Sequence, residues 1–220
     1  MSDAIYQAVF ATAKVLELPV IILALLCLAW LVVECGAFLV EARSRRSRRL
    51  SRIVDAGERS RADLDRGDRE AADRATRPAA RNASMLRALT VFTSVAGRPG
   101  GETRIAKELA DFDFGCQKRL SRTRLLVRLG PALGLMGTLI PLSPALNGLA
   151  NGNISVLTEN LRVAFSVTVL GILIGVVAFA LSLVRERLYG QDYSDLEYLA
   201  AVLTAEESQP RAAGAHGEAA

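Results

Sequence analysis

Three hydroxyl side chains stand out by their surroundings. Thr138, Ser166 and Thr168 lie in stretches, Leu129–Val156 and Val163–Val184, that contain no Asp, Glu, His, Lys or Arg. A hydroxyl offers one proton and two lone pairs, so it can order water or an ion's hydration shell, but it does not bind and release protons near neutral pH. Such residues either bond back to their own helix or face a polar lumen. If protons pass along them, the carboxylate must come from another chain. Glu34 is the one acid in the apolar run Leu18–Val40. An acid inside a membrane span is a candidate functional group. Two readings stand for it: ion handling, or a structural role in which it reaches the interface or pairs with Arg43 or Arg45. Other chemistries find no material. Cys27, Cys35 and Cys116 are scattered, the single His216 sits in an Ala/Gly tail, and no nucleotide loop, triad or metal constellation is present. No cofactor and no metal are expected, and an enzyme is not.

The elements that position these residues are legible from composition. The 220 residues are 51% hydrophobic and 23% charged, with a mean hydropathy of +0.27, so the apolar residues are segregated into blocks. The spacing predicts an all-α integral membrane protein with three spans, at 18–40, 128–149 and 163–184. The first, about 23 residues at 1.5 Å each, gives roughly 34 Å of helix, enough to cross a bilayer core. Basic residues cluster after the first span (Arg43, Arg45, Arg46, Arg48, Arg49, Arg52), before the second (Lys118, Arg119, Arg122, Arg124, Arg128) and after the third (Arg185, Arg187). Segments 1–17 and 150–162 carry only Lys14 and Arg162 as basic residues. The positive-inside rule then sets the N-terminus outside and the C-terminus in the cytoplasm. The region before the first span holds Asp3, Lys14 and Glu17 rather than a basic cluster, so the span reads as an uncleaved anchor.

Outside the spans, residues 1–17 form an outer-face segment in which Ala4, Ile5, Phe10, Ala13 and Leu16 could line a short interfacial helix. Residues 41–127 are expected to be a cytoplasmic helical region. Its part from 43 to about 80 is either a long solvated helix or partly disordered, and mixed charges such as Asp65 with Arg69 and Glu70 with Arg74 favour the helix. Pro78 interrupts it, a second helix covers about 82–96, and Gly97, Pro99, Gly100 and Gly101 make a loop. Ile105, Leu109, Phe112, Cys116 and Leu120 then form one apolar stripe that runs into the second span. It reads as bundle packing, or else as a groove for a cytoplasmic partner. The basic residues read as orientation signals and lipid headgroup contacts; no aromatic interleaving points to nucleic acid. Residues 150–162 are a short outer loop, 185–207 a cytoplasmic helix, and 208–220 a disordered tail.

The first span reads as a lipid-facing helix, apolar all round. The second and third differ. Gly130, Gly134, Gly137, Gly171 and Gly175 recur in them, with Pro131, Pro141 and Pro144. Gly134 to Thr138 and Gly171 to Gly175 are small residues four apart, a spacing that lets helix backbones approach; Gly134, Gly137, Gly171 and Gly175 are therefore assigned to helix packing.

Gly134-Leu135-Met136-Gly137-Thr138-Leu139 resembles the second-span motif of the MotA/TolQ/ExbB proton-channel family, and Leu161–Gly175 resembles its third-span segment. Three spans resemble the TolQ and ExbB branch more than the four-span MotA branch. The resemblance implies a ring of five copies around a pore lined by the second and third spans. It implies two copies of a single-span ExbD/TolR/MotB-like partner whose Asp takes up the ion. Thr138 and Thr168 would fall on the pore threonines, and Ser166 would share their surface. The family's third-span Glu position is Val163 here, and Pro141 and Pro144 replace its usual continuation, which points away from a standard Ton or Tol role. The expected function is the ring subunit of a proton-driven, or sodium-driven, motor in a bacterial cytoplasmic membrane. The rivals are a non-conducting membrane scaffold or assembly factor, and a self-sufficient channel that uses Glu34.

Overall fold

The computed structural model describes residues 2–44 and 50–205, with side chains described for 11, 12, 15–43 and 51–205. Arg45, Arg46, Arg48 and Arg49 of the first basic cluster, His216 and the tail from Ser208 lie outside the described residues. So do the side chains of Ala4, Ile5, Phe10, Ala13 and Lys14.

Among the described residues the secondary structure is helix and turn, with no strand. The helices are α1 (Ser2–Ser44), α2 (Leu50–Asp65), α3 (Arg69–Thr76), α4 (Ala83–Val95), α5 (Gly101–Ala150) and α6 (Ile154–Thr204), with a 3-10 turn at Arg77–Ala79. Three of them, α1, α5 and α6, are long and apolar enough to cross a membrane. The chain divides into two compact units, one of residues 1–47 and 114–190, the other of 48–113 and 191–220.

The first unit holds the apolar spans. α1 is unbroken from Ser2 through Pro19. It is not lipid-facing all round, because Val20, Ala24, Cys27 and Leu31, spaced four, three and four, form one buried face. They share a cluster with Leu126, Leu133, Val167, Ile174 and Ala178. This spacing was hidden in the sequence because the opposite face, with Leu25, Leu26, Val32 and Val33 exposed, is equally apolar. α5 contains Pro131, Pro141 and Pro144 yet continues through all three. Each proline withholds one N–H from the carbonyl four residues earlier, and inside a membrane bundle neighbouring groups make such losses tolerable. The break between α5 and α6 is short. Gly152 takes a positive φ of 71°, Asn153 Oδ1 accepts from the Val156 N–H at 3.3 Å, and helix resumes at Ile154. Most of the expected loop at 150–162 is therefore the first turns of α6.

The second unit replaces the single long helix expected over 43–80 with a helical hairpin. Gly67, at a φ of 79°, makes the turn. Asp68 caps α3 by accepting from the Ala71 N–H at 2.9 Å, and α3 folds back so that Ser60 Oγ donates to the Ala72 carbonyl at 3.1 Å. The expected pair Asp65 with Arg69 is thereby broken. Asp65 pairs with Arg61 at 3.2 Å, while Arg69 donates to the carbonyls of Thr93, Ser94 and Ala96 at the end of α4. Arg74 donates to the Glu70 carbonyl rather than its carboxylate. The buried residues are largely small, including Ala56, Ala72, Ala79 and Ala88, around Met85, Leu89 and Phe92. This is how a segment with few large apolar residues still forms a core. Ile105 and Phe112, from the stripe on α5, are buried as well.

One charged cluster ties this unit together. Arg81 pairs with Asp192 at 3.0 Å and with Asp195, both on α6, and Asn82 Nδ2 donates to Asp192 at 3.2 Å. Asp192 is fully buried. Removing one member strands the others without water, a loss of about 3–5 kcal/mol for a buried pair. Arg81→Ala is expected to open residues 50–113 to limited proteolysis while leaving the helices of the first unit protected, as read by mass spectrometry of the fragments.

Candidate functional site in the membrane-spanning helices

α5 and α6 meet backbone to backbone. A Cβ on Gly130 would lie 2.6 Å from the Gly171 carbonyl oxygen, and one on Gly171 would lie 2.5 Å from the Gly130 oxygen and 2.7 Å from Gly134 Cα. On Gly175 a Cβ would press on the Pro131 ring at 2.9 Å, and on Gly137 it would collide with Val167. Gly134 has more room, its nearest atoms lying at 3.4–3.5 Å on Thr168 and Gly171. The tightest backbone-to-backbone contact between α5 and α6 therefore includes Gly130, which the sequence analysis does not assign to packing. The signal was present: Gly130 to Gly134 repeats the four-residue spacing of Gly171 to Gly175.

This contact fixes the hydroxyls. Thr168, half-buried, donates within its own helix to Ala164 at 3.0 Å and across the seam toward the Gly134 carbonyl at 3.3 Å. Thr138, also half-buried, donates to Leu135 at 2.8 Å. Ser166 is exposed and donates to Arg162 at 2.8 Å. In each case the proton is directed to a helix carbonyl, which leaves the oxygen's lone pairs as what the side chain can offer outward. Thr168 belongs to the α5–α6 seam. Pro141 and Pro144 give no N–H to the carbonyls of Gly137 and Ile140, so further acceptors flank Thr138.

Glu34 has a partner other than Arg43 or Arg45. Arg185 Nη1 donates to its carboxylate at 2.5 Å and to Thr123 Oγ1 at 2.9 Å, and Nη2 reaches the Glu34 carbonyl at 3.3 Å. Trp30 Nε1 donates to the second carboxylate oxygen at 3.3 Å. The Arg185 and Glu34 side chains are 6% and 14% exposed. An arginine counted from the sequence as an orientation signal is thus a buried ion-pair member. One turn beyond, Tyr189 is buried, its hydroxyl 3.5 Å from Glu41. Burial raises its phenol above the usual value, the Glu41 charge adds to the rise, and Arg185 and Arg119 oppose it.

Two glycine-packed helices whose apolar stretches carry hydroxyls and no acid, beside a third apolar helix of membrane-crossing length, define a helical membrane protein. Residues 101–197, which take in nearly all of α5 and α6, match the MotA/TolQ/ExbB proton channel family. No curated protein matches the chain.

Two measurements follow. Gly171→Ala and Gly130→Ala are expected to destabilise the α5–α6 pair by about 1–3 kcal/mol or more, as over-packing does, while Gly134→Ala is nearly neutral; thermal melts of the detergent-solubilised protein rank them. For Tyr189, a raised folded pKa means that its protonated form contributes stability fully below the unfolded value of about 10, a contribution lost as pH climbs through the folded value. In an alkaline titration followed by phenolate absorbance, one of the four tyrosines should ionise last, and Tyr189→Phe should remove that phase.

Proposed function

We propose that the chain is the ring subunit of an ion-driven motor in a bacterial cytoplasmic membrane. The ring has five copies, each with its N-terminus outside and its C-terminus in the cytoplasm. Residues 18–40, 128–149 and 163–184 are the spans, and the helical residues between the first and second spans and after the third are cytoplasmic. Two copies of a single-span ExbD/TolR/MotB-like protein sit in the pore and bring the Asp that carries the ion. Thr138 and Ser166 supply lone pairs to the pore, and Thr168 holds the seam behind them. Protons are the favoured ion. Each charge moved across about 100 mV releases about 2.3 kcal/mol, which biases a rotation between ring and partner, and no covalent chemistry is needed.

The observation that carries this reading is a division of charge. The family match covers nearly all of α5 and α6, whose apolar stretches Leu129–Val156 and Val163–Val184 hold hydroxyls and no ionisable group. The acid on α1, Glu34, is already engaged by Arg185. A ring built this way needs a carboxylate from elsewhere, which is what a single-span partner provides.

Thr138→Val is expected to reduce ion-coupled activity at least about tenfold, the scale of one lost transition-state or binding interaction of 1.4 kcal/mol, with oligomer mass unchanged. Native mass measurement of the solubilised protein should give five copies. A monomer or dimer, or full activity of Thr138→Val with Thr168→Val, would instead indicate a non-conducting scaffold.

A further inference from the structure

α1 is attached to its neighbours by two kinds of contact. Val20, Ala24, Cys27 and Leu31 make an apolar seam, and at its cytoplasmic end Glu34 meets Arg185 of α6 and Thr123 of α5. In lipid the apolar seam has little power to choose a register, since tails are as apolar as the side chains they replace. The exposed face of α1 is apolar as well. Turning α1 by one residue, about 100°, would exchange one apolar face for another at small loss, but it would carry Glu34 away from the guanidinium. Both charges would then be buried unpaired.

We propose that Glu34 and Arg185 form a register lock that fixes the rotation and depth of α1 against the α5–α6 pair. Glu34 and Arg185 are positioning residues, and Thr123 holds the guanidinium by accepting its Nη1–H. The chemistry fits a specifying device better than a stabilising one. Arg185 Nε is buried with no hydrogen-bond partner among the described residues, so the cluster is not optimised for energy. Buried ion pairs generally add little net stability over an apolar pair, while register is their best-attested use. Phe38, whose ring centroid lies 6.0 Å from Arg185 Cζ, closes the next turn of α1. This role also accounts for an acid in a membrane span without assigning it to the ion path.

The three cysteines allow a direct test that needs neither a partner protein nor an ion gradient, so its outcome is separate from that of the motor reading. Cys27 is buried on the inner face of α1, and Cys35→Ser with Cys116→Ser leaves it as the sole thiol. In the detergent-solubilised full chain, maleimide should modify Cys27 slowly. Glu34→Gln and Arg185→Met should each speed modification about tenfold or more, since each leaves a buried group unpaired and favours local opening. The swap Glu34→Arg with Arg185→Glu should recover most of the protection. The apolar pair Glu34→Met with Arg185→Met should keep the thermal midpoint of helix loss yet remain fast in modification, because packing survives without a fixed register. Unchanged rates in the single variants, a swap as fast as they are, or an apolar pair as protected as the parent would each overturn the lock.

Discussion

The contact between Gly130 on α5 and Gly171 on α6 is the constraint from which the rest of the membrane-spanning unit follows. Two helices in lipid gain no hydrophobic free energy by associating, so they rely on dispersion and close fit. Here the fit is so close that a single methyl on either glycine would meet a backbone oxygen. That approach seats the Pro131 ring over Gly175 and sets Thr168 against the Gly134 carbonyl. It needs no polar side chain of its own. The hydroxyls are placed by a contact to which they add little, which leaves their oxygens available for other work.

Arginine does several different jobs in this chain, and only one of them is visible as charge. Arg69 gathers the carbonyls of Thr93, Ser94 and Ala96, and Arg61 donates to the Leu203 carbonyl at 3.1 Å. Arg81 bridges two buried aspartates, and Arg185 holds Glu34. A planar fork of five donors can satisfy several acceptors from one position. This suits a unit whose core is rich in alanine and whose helix ends have carbonyls to be met. Lysine, with its compact ammonium, would serve these places poorly, and only three are present among the 27 basic residues.

The three apolar helices of membrane-crossing length, the α4 helix, the turn at Gly97–Gly100 and the amphipathic stripe on α5 are all legible in the sequence, because each rests on local composition or on a 3.6-residue period. What escaped was set by partners far along the chain. The hairpin of α2 and α3 turns on Gly67, one glycine in a mixed-charge run whose i to i+4 pairs argued equally well for a straight helix. The buried face of α1 could not be separated from its lipid face because both are apolar. Glu34 stands out as an intramembrane acid, but the arginines near it in sequence are Arg43 and Arg45, whereas the one it meets is Arg185, 151 positions away. Gly130 has the same four-residue spacing to Gly134 as Gly171 has to Gly175, but spacing does not show which of the small residues lies at the closest approach. Thr138 and Thr168 are legible in the sequence as hydroxyls in acid-free stretches; which of them enters the helix seam depends on rotation about the helix axis, which composition does not encode.

One feature of those hydroxyls reaches beyond packing. With each proton committed to a helix carbonyl, the side chains present electron pairs and nothing else. A wall of that sort greets hydronium and sodium in the same way, by solvating a positive charge, and has no titration of its own with which to prefer one. In a ring of the proposed kind, the choice of coupling ion would fall to the visiting carboxylate, and exchanging that visitor for one tuned to another cation would re-specify the machine without altering a residue of this chain.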